Sequence, residues 1–128
     1  MKILAQLVSR SSYPPRERLI ALTLAFVKEL SGAELDELIA EATVDCYGED
    51  EQLTGLATMI ADNLAVPFET TVLGVTVTVP AIHQADSGIV AICVRGKHRQ
   101  PISVLDLPLP DPPPPGAEWI AAYRRWAR

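Results

Sequence analysis

The stretch FETTVLGVTVTVPAI, residues 68–82, restricts the fold more than any other part of the chain. It is dense in β-branched residues and alternates V-T-V-T-V with period two, the pattern of a strand with one buried face. A helix has no use for that period. N-terminal to Pro67 the texture differs, with apolar residues recurring at spacings of three and four. Helices before Pro67 and strands after it make an α+β chain.

Residues 1–14 lack sustained periodicity and end at Tyr13-Pro14-Pro15, so they are expected to form a flexible tail. Pro15 suits a first helical position, where its missing N–H costs nothing. It opens an expected helix over 15–30 with the stripe Leu19, Leu22, Phe26 and Leu30, broken by Ser31-Gly32. A second helix is expected over 33–47, with Leu35, Leu38, Ile39, Ala42 and Cys46 on one face and Gly48 as its terminator. A third is expected over 50–63, on the stripe Leu53, Leu56, Ala57, Ile60 and Leu64.

In the β-rich half, Gly74 marks a bulge or sharp bend, and Asp86-Ser87-Gly88 turns the chain into GIVAICVRG, followed by a strand around QPISVLDL. Short strands with glycines at their bends suggest a small, strongly coiled antiparallel barrel of the SH3-like kind over 67–109, with a flat curled sheet as the alternative. LPLPDPPPPG, residues 107–116, is an extended polyproline stretch and AEWIAAYRRWAR, residues 117–128, closes the chain as a short amphipathic helix, with strap and helix assigned to 110–127. Residues 15–128 are expected to form one domain, a size suited to 128 residues.

The longest helix-like apolar run, Leu19 to Val27, is about half of the ~20 residues a membrane span needs, so it reads as a core helix. No cleavage pattern of a signal peptide follows Arg16 and Arg18. Cys46 and Cys93 are isolated among apolar neighbours, which fits reduced thiols in a cytoplasm, with one disulfide as the alternative. A net charge of -5 argues against nucleic acid as a partner. Neither nucleic acid nor a membrane is therefore expected to be bound.

That net charge is unevenly distributed. Residues 1–28 carry five Lys/Arg against one acid and residues 95–128 six against three, whereas residues 29–94 hold twelve acids and no Lys or Arg. The acids crowd most closely in VDCYGEDEQ, residues 44–52. Along the second helix, Glu37, Glu41, Asp45 and Glu49 fall at steps of four, where like charges cost a few tenths of a kcal/mol per pair, on the order given for helix neighbours. The ladder drifts toward the apolar stripe, which should bring Asp45 to its edge. A hard divalent cation would reverse that penalty, because calcium takes carboxylate and backbone carbonyl oxygens in irregular geometry. A helix end with unpaired carbonyls, followed by an acidic turn, offers both. EF-hand spacing is absent: with Asp45 first, Asp50 stands where that loop needs glycine and Leu56 where it needs glutamate.

The series D-C-Y-G-E-D-E-Q, the helix to D-N-L-A-V-P-F-E and the β-rich half ending V-L-D-L-P-L-P resemble the small acidic bacterial calcium-binding proteins of the CcbP type, over residues 34–107. The resemblance implies a helical acidic segment joined through Pro67-Phe68 to a small β-barrel. It implies Asp45, Glu49 and Glu51 as calcium ligands, with Asp50 and Glu41 as helpers. The helix over 15–30 and the C-terminal E-W-I-A-A-Y-R-R-W lie outside the matched part.

Other chemistries find less support. No nucleophile elbow or Cys-His arrangement can be placed, so an enzyme is not expected. His83, His98, Cys46 and Cys93 lack the paired spacing of a zinc site. His98 belongs to a basic turn, Arg95 to Arg99, that could approach the acidic segment. Trp119, Tyr123 and Trp126 share a helix face expected to dock on the domain. The alternative to calcium binding is a metal-independent interaction module using that aromatic helix and the proline strap.

Overall fold

The structure is a computed structural model, which describes residues 30–128. The expected tail over 1–14 and nearly all of the expected helix over 15–30 lie outside them. Residues 31–128 form one compact unit of three helices and four strands: α1 (Gly32–Ala42), α2 (Glu49–Asn63), β1 (Phe68–Val72), β2 (Val75–Ala85), β3 (Gly88–Arg95), β4 (His98–Ser103) and α3 (Glu118–Trp126).

Ser31 starts α1 with a capping box. Its hydroxyl accepts from the Glu34 amide at 3.1 Å while the Ser31 amide donates to Glu34 Oε1 at 2.8 Å, satisfying two donors the helix leaves free. The helix ends at Ala42, earlier than the expected Tyr47. The Thr43 amide makes the last helical bond, to the Ile39 carbonyl at 3.0 Å, its hydroxyl donates to the same carbonyl at 2.7 Å, and the chain then leaves the helix at Asp45, whose φ is 60°. Gly48 then serves as the N-cap of α2 in extended conformation and does not terminate α1. On α2, Leu56, Ile60 and Leu64 are buried and Leu53 and Ala57 half-buried, the expected stripe.

The strands form a meander, β1-β2-β3-β4, every neighbour antiparallel. β1 and β4 remain edges and do not pair with each other, so the sheet is open and the closed barrel is not formed. At Gly74 the chain makes a tight hairpin: Leu73 and Gly74 both have positive φ, 51° and 79°, as a two-residue turn between right-twisted strands requires. Gly74 is thus the sharp bend of the two expected alternatives, and a bulge falls at Val79-Pro80, where Thr78 pairs with Val94 and Ala81 with Ile92, giving β2 one extra residue. A bulge is where an interior strand tolerates proline, which has no N–H to contribute to the ladder.

The core lies between the sheet and the helices. Ile89, Ala91 and Cys93 alternate inward along β3 and meet Val79, Leu56, Ile60, Val104 and Leu107. The strap carries the chain to α3 past the end of α2, where the Ala65 amide donates to the Pro115 carbonyl at 2.8 Å. Gly116 makes that passage possible: a Cβ there would lie 2.1 Å from the Asn63 carbonyl oxygen. α3 docks its aromatic face as expected, with Trp119, Ile120 and Tyr123 buried and the Ile89 amide donating to the Tyr123 hydroxyl at 3.2 Å. Arg124 fastens the same helix to the segment after β4 by donating to the carbonyls of Val104 and Leu107. Burial pulls its pKa down from the ordinary guanidinium value.

Candidate functional site

The acidic residues fall on the six-residue connector between α1 and α2 and on the two helix ends beside it. Asp45 stands in the connector with φ 60°, a left-handed conformation that Asp tolerates better than most residues. It is therefore off the helical ladder, which reduces to Glu37 and Glu41 on α1. Asp45 is exposed and does not lie at the edge of the apolar stripe, because α1 stops three residues before it. Glu41, Glu49 and Asp50 are exposed as well.

The connector is tied to α2 by Glu51. Its Oε1 accepts the Tyr47 amide at 2.6 Å, a bond from the first turn of α2 back to the residue before its N-cap, Gly48. The Cys46 amide donates to the Thr43 carbonyl at 3.0 Å and the half-buried Cys46 thiol to the Glu51 carbonyl at 3.4 Å. Gly55 sets the spacing of the two helices: a Cβ at that position would come within 2.2 Å of the Ala42 carbonyl oxygen. Glu49, Asp50 and Glu51 occupy the first turn of α2, where the helix dipole favours negative charge by about 0.3 to 1 kcal/mol each.

Chain connectivity thus puts Glu41, Asp45, Glu49, Asp50 and Glu51 on one short stretch, but their side chains do not converge. Among the described residues no group of three or more His, Cys, Asp or Glu is close enough to hold a metal ion, for calcium or for zinc. Nor do Glu41, Asp45, Glu49 and Asp50 form an ion pair with a described residue. Arg125 forms a salt bridge with Asp36 on α1, Nε to Oδ1 at 2.7 Å. That guanidinium holds the Asp36 carboxyl below the usual carboxylate range.

The basic turn of residues 95–99 stays away from the connector. Arg95 Nη1 donates to the Thr76 carbonyl at 3.0 Å, placing that turn beside the β1–β2 hairpin. Gln84 at the other end of β2 donates to Thr54 on α2 at 3.1 Å, so the connector belongs to the opposite end of the sheet. Asp106 sits in a turn after β4, its amide donating to the Ser103 carbonyl at 2.9 Å, as expected of a turn former. A shallow cavity of about 360 Å³ lies between β1 and the strap, with Thr70, Thr76 and Leu109 in its wall and Glu69 as its one titratable side chain.

Two exposed apolar side chains in the acidic connector, Val44 at 67% and Tyr47 at 88%, were not legible in the hydrophobic periodicity. Both lie beyond the end of α1, in the connector. No helix among the described residues is long and apolar enough to cross a membrane. No family model, curated protein or solved structure matches the chain.

Proposed function

We propose that this protein binds calcium at the acidic connector, with Asp45, Glu49 and Glu51 as central ligands and Asp50 and Glu41 in support. One observation carries the reading: the carboxylates of Glu41, Asp45, Glu49 and Asp50 crowd one short stretch without a cationic partner among the described residues. Such a set repels itself, and a hard dication that accepts about six to eight oxygens removes the repulsion. The donor set fits calcium in kind, being oxygen throughout. Glu51 holds the Tyr47 amide through Oε1 and keeps its second oxygen for an ion. The amides of Val44 and Asp45 do not return to α1, so carbonyls at the end of that helix stay open to other partners.

Because the carboxylates stand apart in the ion-free chain, binding gathers the connector and tightens the junction of α1 with α2. The resemblance to CcbP-type proteins points to the same residues, while the barrel it implies is not formed, the sheet being an open four-stranded meander. The role is that of a buffer or sensor in a bacterial cytoplasm and not of an enzyme. An interaction module built on the C-terminal aromatics is the weaker reading, since Trp119 and Tyr123 are buried against the core.

The test is thermal unfolding of chelator-treated protein against rising Ca²⁺, with Mg²⁺ as control. A ligand that binds only the folded chain raises Tm by mass action, so a calcium-selective rise is expected. A Tm unmoved by calcium up to millimolar levels, where weak sites fill, removes the proposal.

A further inference from the structure

We propose that the two hairpin tips at one end of the sheet dock onto the acidic connector of a second copy of this chain, so that copies associate head to tail. The observation that begins the argument is Leu73. It occupies a tight-turn position with φ 51°, where glycine or asparagine would be favoured, and it is 97% exposed. Neither the turn nor the core has a use for leucine there, so its side chain serves something outside the fold. Val75 beside it is also exposed.

The β3–β4 tip stands next to this hairpin, held by the bond from Arg95 to the Thr76 carbonyl. It carries Lys97 and Arg99, both exposed and without an ion pair among the described residues. One end of the sheet is therefore apolar and basic. The connector lies toward the other end, since Thr54 of α2 meets Gln84, and β2 runs roughly 30 Å from Val75 to Gln84 at about 3.3 Å per residue. That end is apolar and acidic, with Val44 and Tyr47 among Asp45, Glu49 and Asp50. Of the six large hydrophobic side chains most exposed in the described residues, Val44, Tyr47, Leu73 and Val75 lie at these two ends. Charge and apolar exposure are thus complementary between the ends of one molecule, and the ends are too far apart to meet within it. A contact between unlike patches is heterologous and repeats, giving open chains instead of closed pairs.

The inference stands apart from calcium binding, and its test keeps chelator present throughout. Sedimentation of the full chain at low salt is expected to show mass growing beyond a dimer with concentration and falling back to monomer at high salt. Leu73→Asn should weaken association about tenfold, as befits one buried leucine, while keeping the native circular dichroism. Lys97→Glu with Arg99→Glu should abolish it, as should Val44→Ser with Tyr47→Ser, which leaves every carboxylate in place. Mixing those last two variants leaves one intact interface and should yield a one-to-one pair that grows no further. Monomer at every concentration, a dimer that stops at two, or association unchanged in the variants overturns the proposal. So does a tip that binds phosphatidylserine vesicles through Leu73 while copies stay apart.

Discussion

The indole Nε1 of Trp126 donates to Gln52 Oε1 at 2.9 Å, joining the last turn of α3 to the first turn of α2. Gln52 follows Glu51, whose carboxylate holds the connector, so a tryptophan sits one residue from the proposed ion site. Tyr123 stacks on Trp126 with ring centroids 6.1 Å apart and, through its hydroxyl, reaches Ile89 of the sheet. The C-terminal helix therefore couples the connector to the core.

Breaking that bond should be felt locally. Gln52→Ala is expected to cost about 1 kcal/mol, the usual net worth of one side-chain hydrogen bond. Tryptophan emission should shift to the red as Trp126 loosens. Denaturant unfolding and fluorescence check both, and an unchanged spectrum would mean the contact does not hold the indole.

Gly55 offers a sharper test of the helix packing. In an exposed helix, Gly→Ala stabilises by about 1 kcal/mol. Here the added methyl would meet the Ala42 carbonyl at 2.2 Å, so α1 must move away. Gly55→Ala is expected to destabilise by about 1 to 3 kcal/mol, the range for overpacking. A gain in stability would show that the two helices are not held at this spacing.

The Asp36–Arg125 pair predicts an acid limb. With its folded-state pKa depressed, chiefly by the Arg125 hydrogen bond, Asp36 contributes stability that is present above the unfolded carboxylate pKa. That contribution is lost as pH falls through the lower, folded value. Both groups are well exposed, so the effect is small and weakened by salt. Melting curves against pH should show a shallower acid decline for Asp36→Asn than for the parent chain, and identical declines would contradict the pairing.

Much of the fold was legible because hydrophobic period dictates it. The stripe from Leu53 to Leu64 placed α2 within one residue at its start, and the V-T-V-T-V alternation placed β2. What local pattern did not carry was missed. The end of α1 lies before Asp45, whose positive φ takes the chain out of the helix, and a stripe continuing to Cys46 conceals it. Gly74 marked the sharp bend, but Leu73 as its partner in the turn was not legible because leucine is not a turn residue, and the bulge fell separately at Val79-Pro80. Closure of the sheet depends on long-range twist and register, which no local stretch records, and the edges β1 and β4 stayed apart. At the site, spacing identified the crowded carboxylates. It could not show that Glu51 already grips the Tyr47 amide, or that Asp36 finds Arg125 from 89 residues away.

The most direct measurement of the central claim is calorimetric titration of the chelator-treated protein with Ca²⁺, run in parallel on Asp45→Asn and Asp111→Asn. Asp45 lies in the connector and Asp111 in the proline strap, and both are exposed, so each variant removes one surface carboxylate. Calcium binding that weakens markedly in Asp45→Asn and is preserved in Asp111→Asn is the predicted result. Equal affinities in the two variants, or no heat of binding in the parent, would contradict a calcium site at the connector.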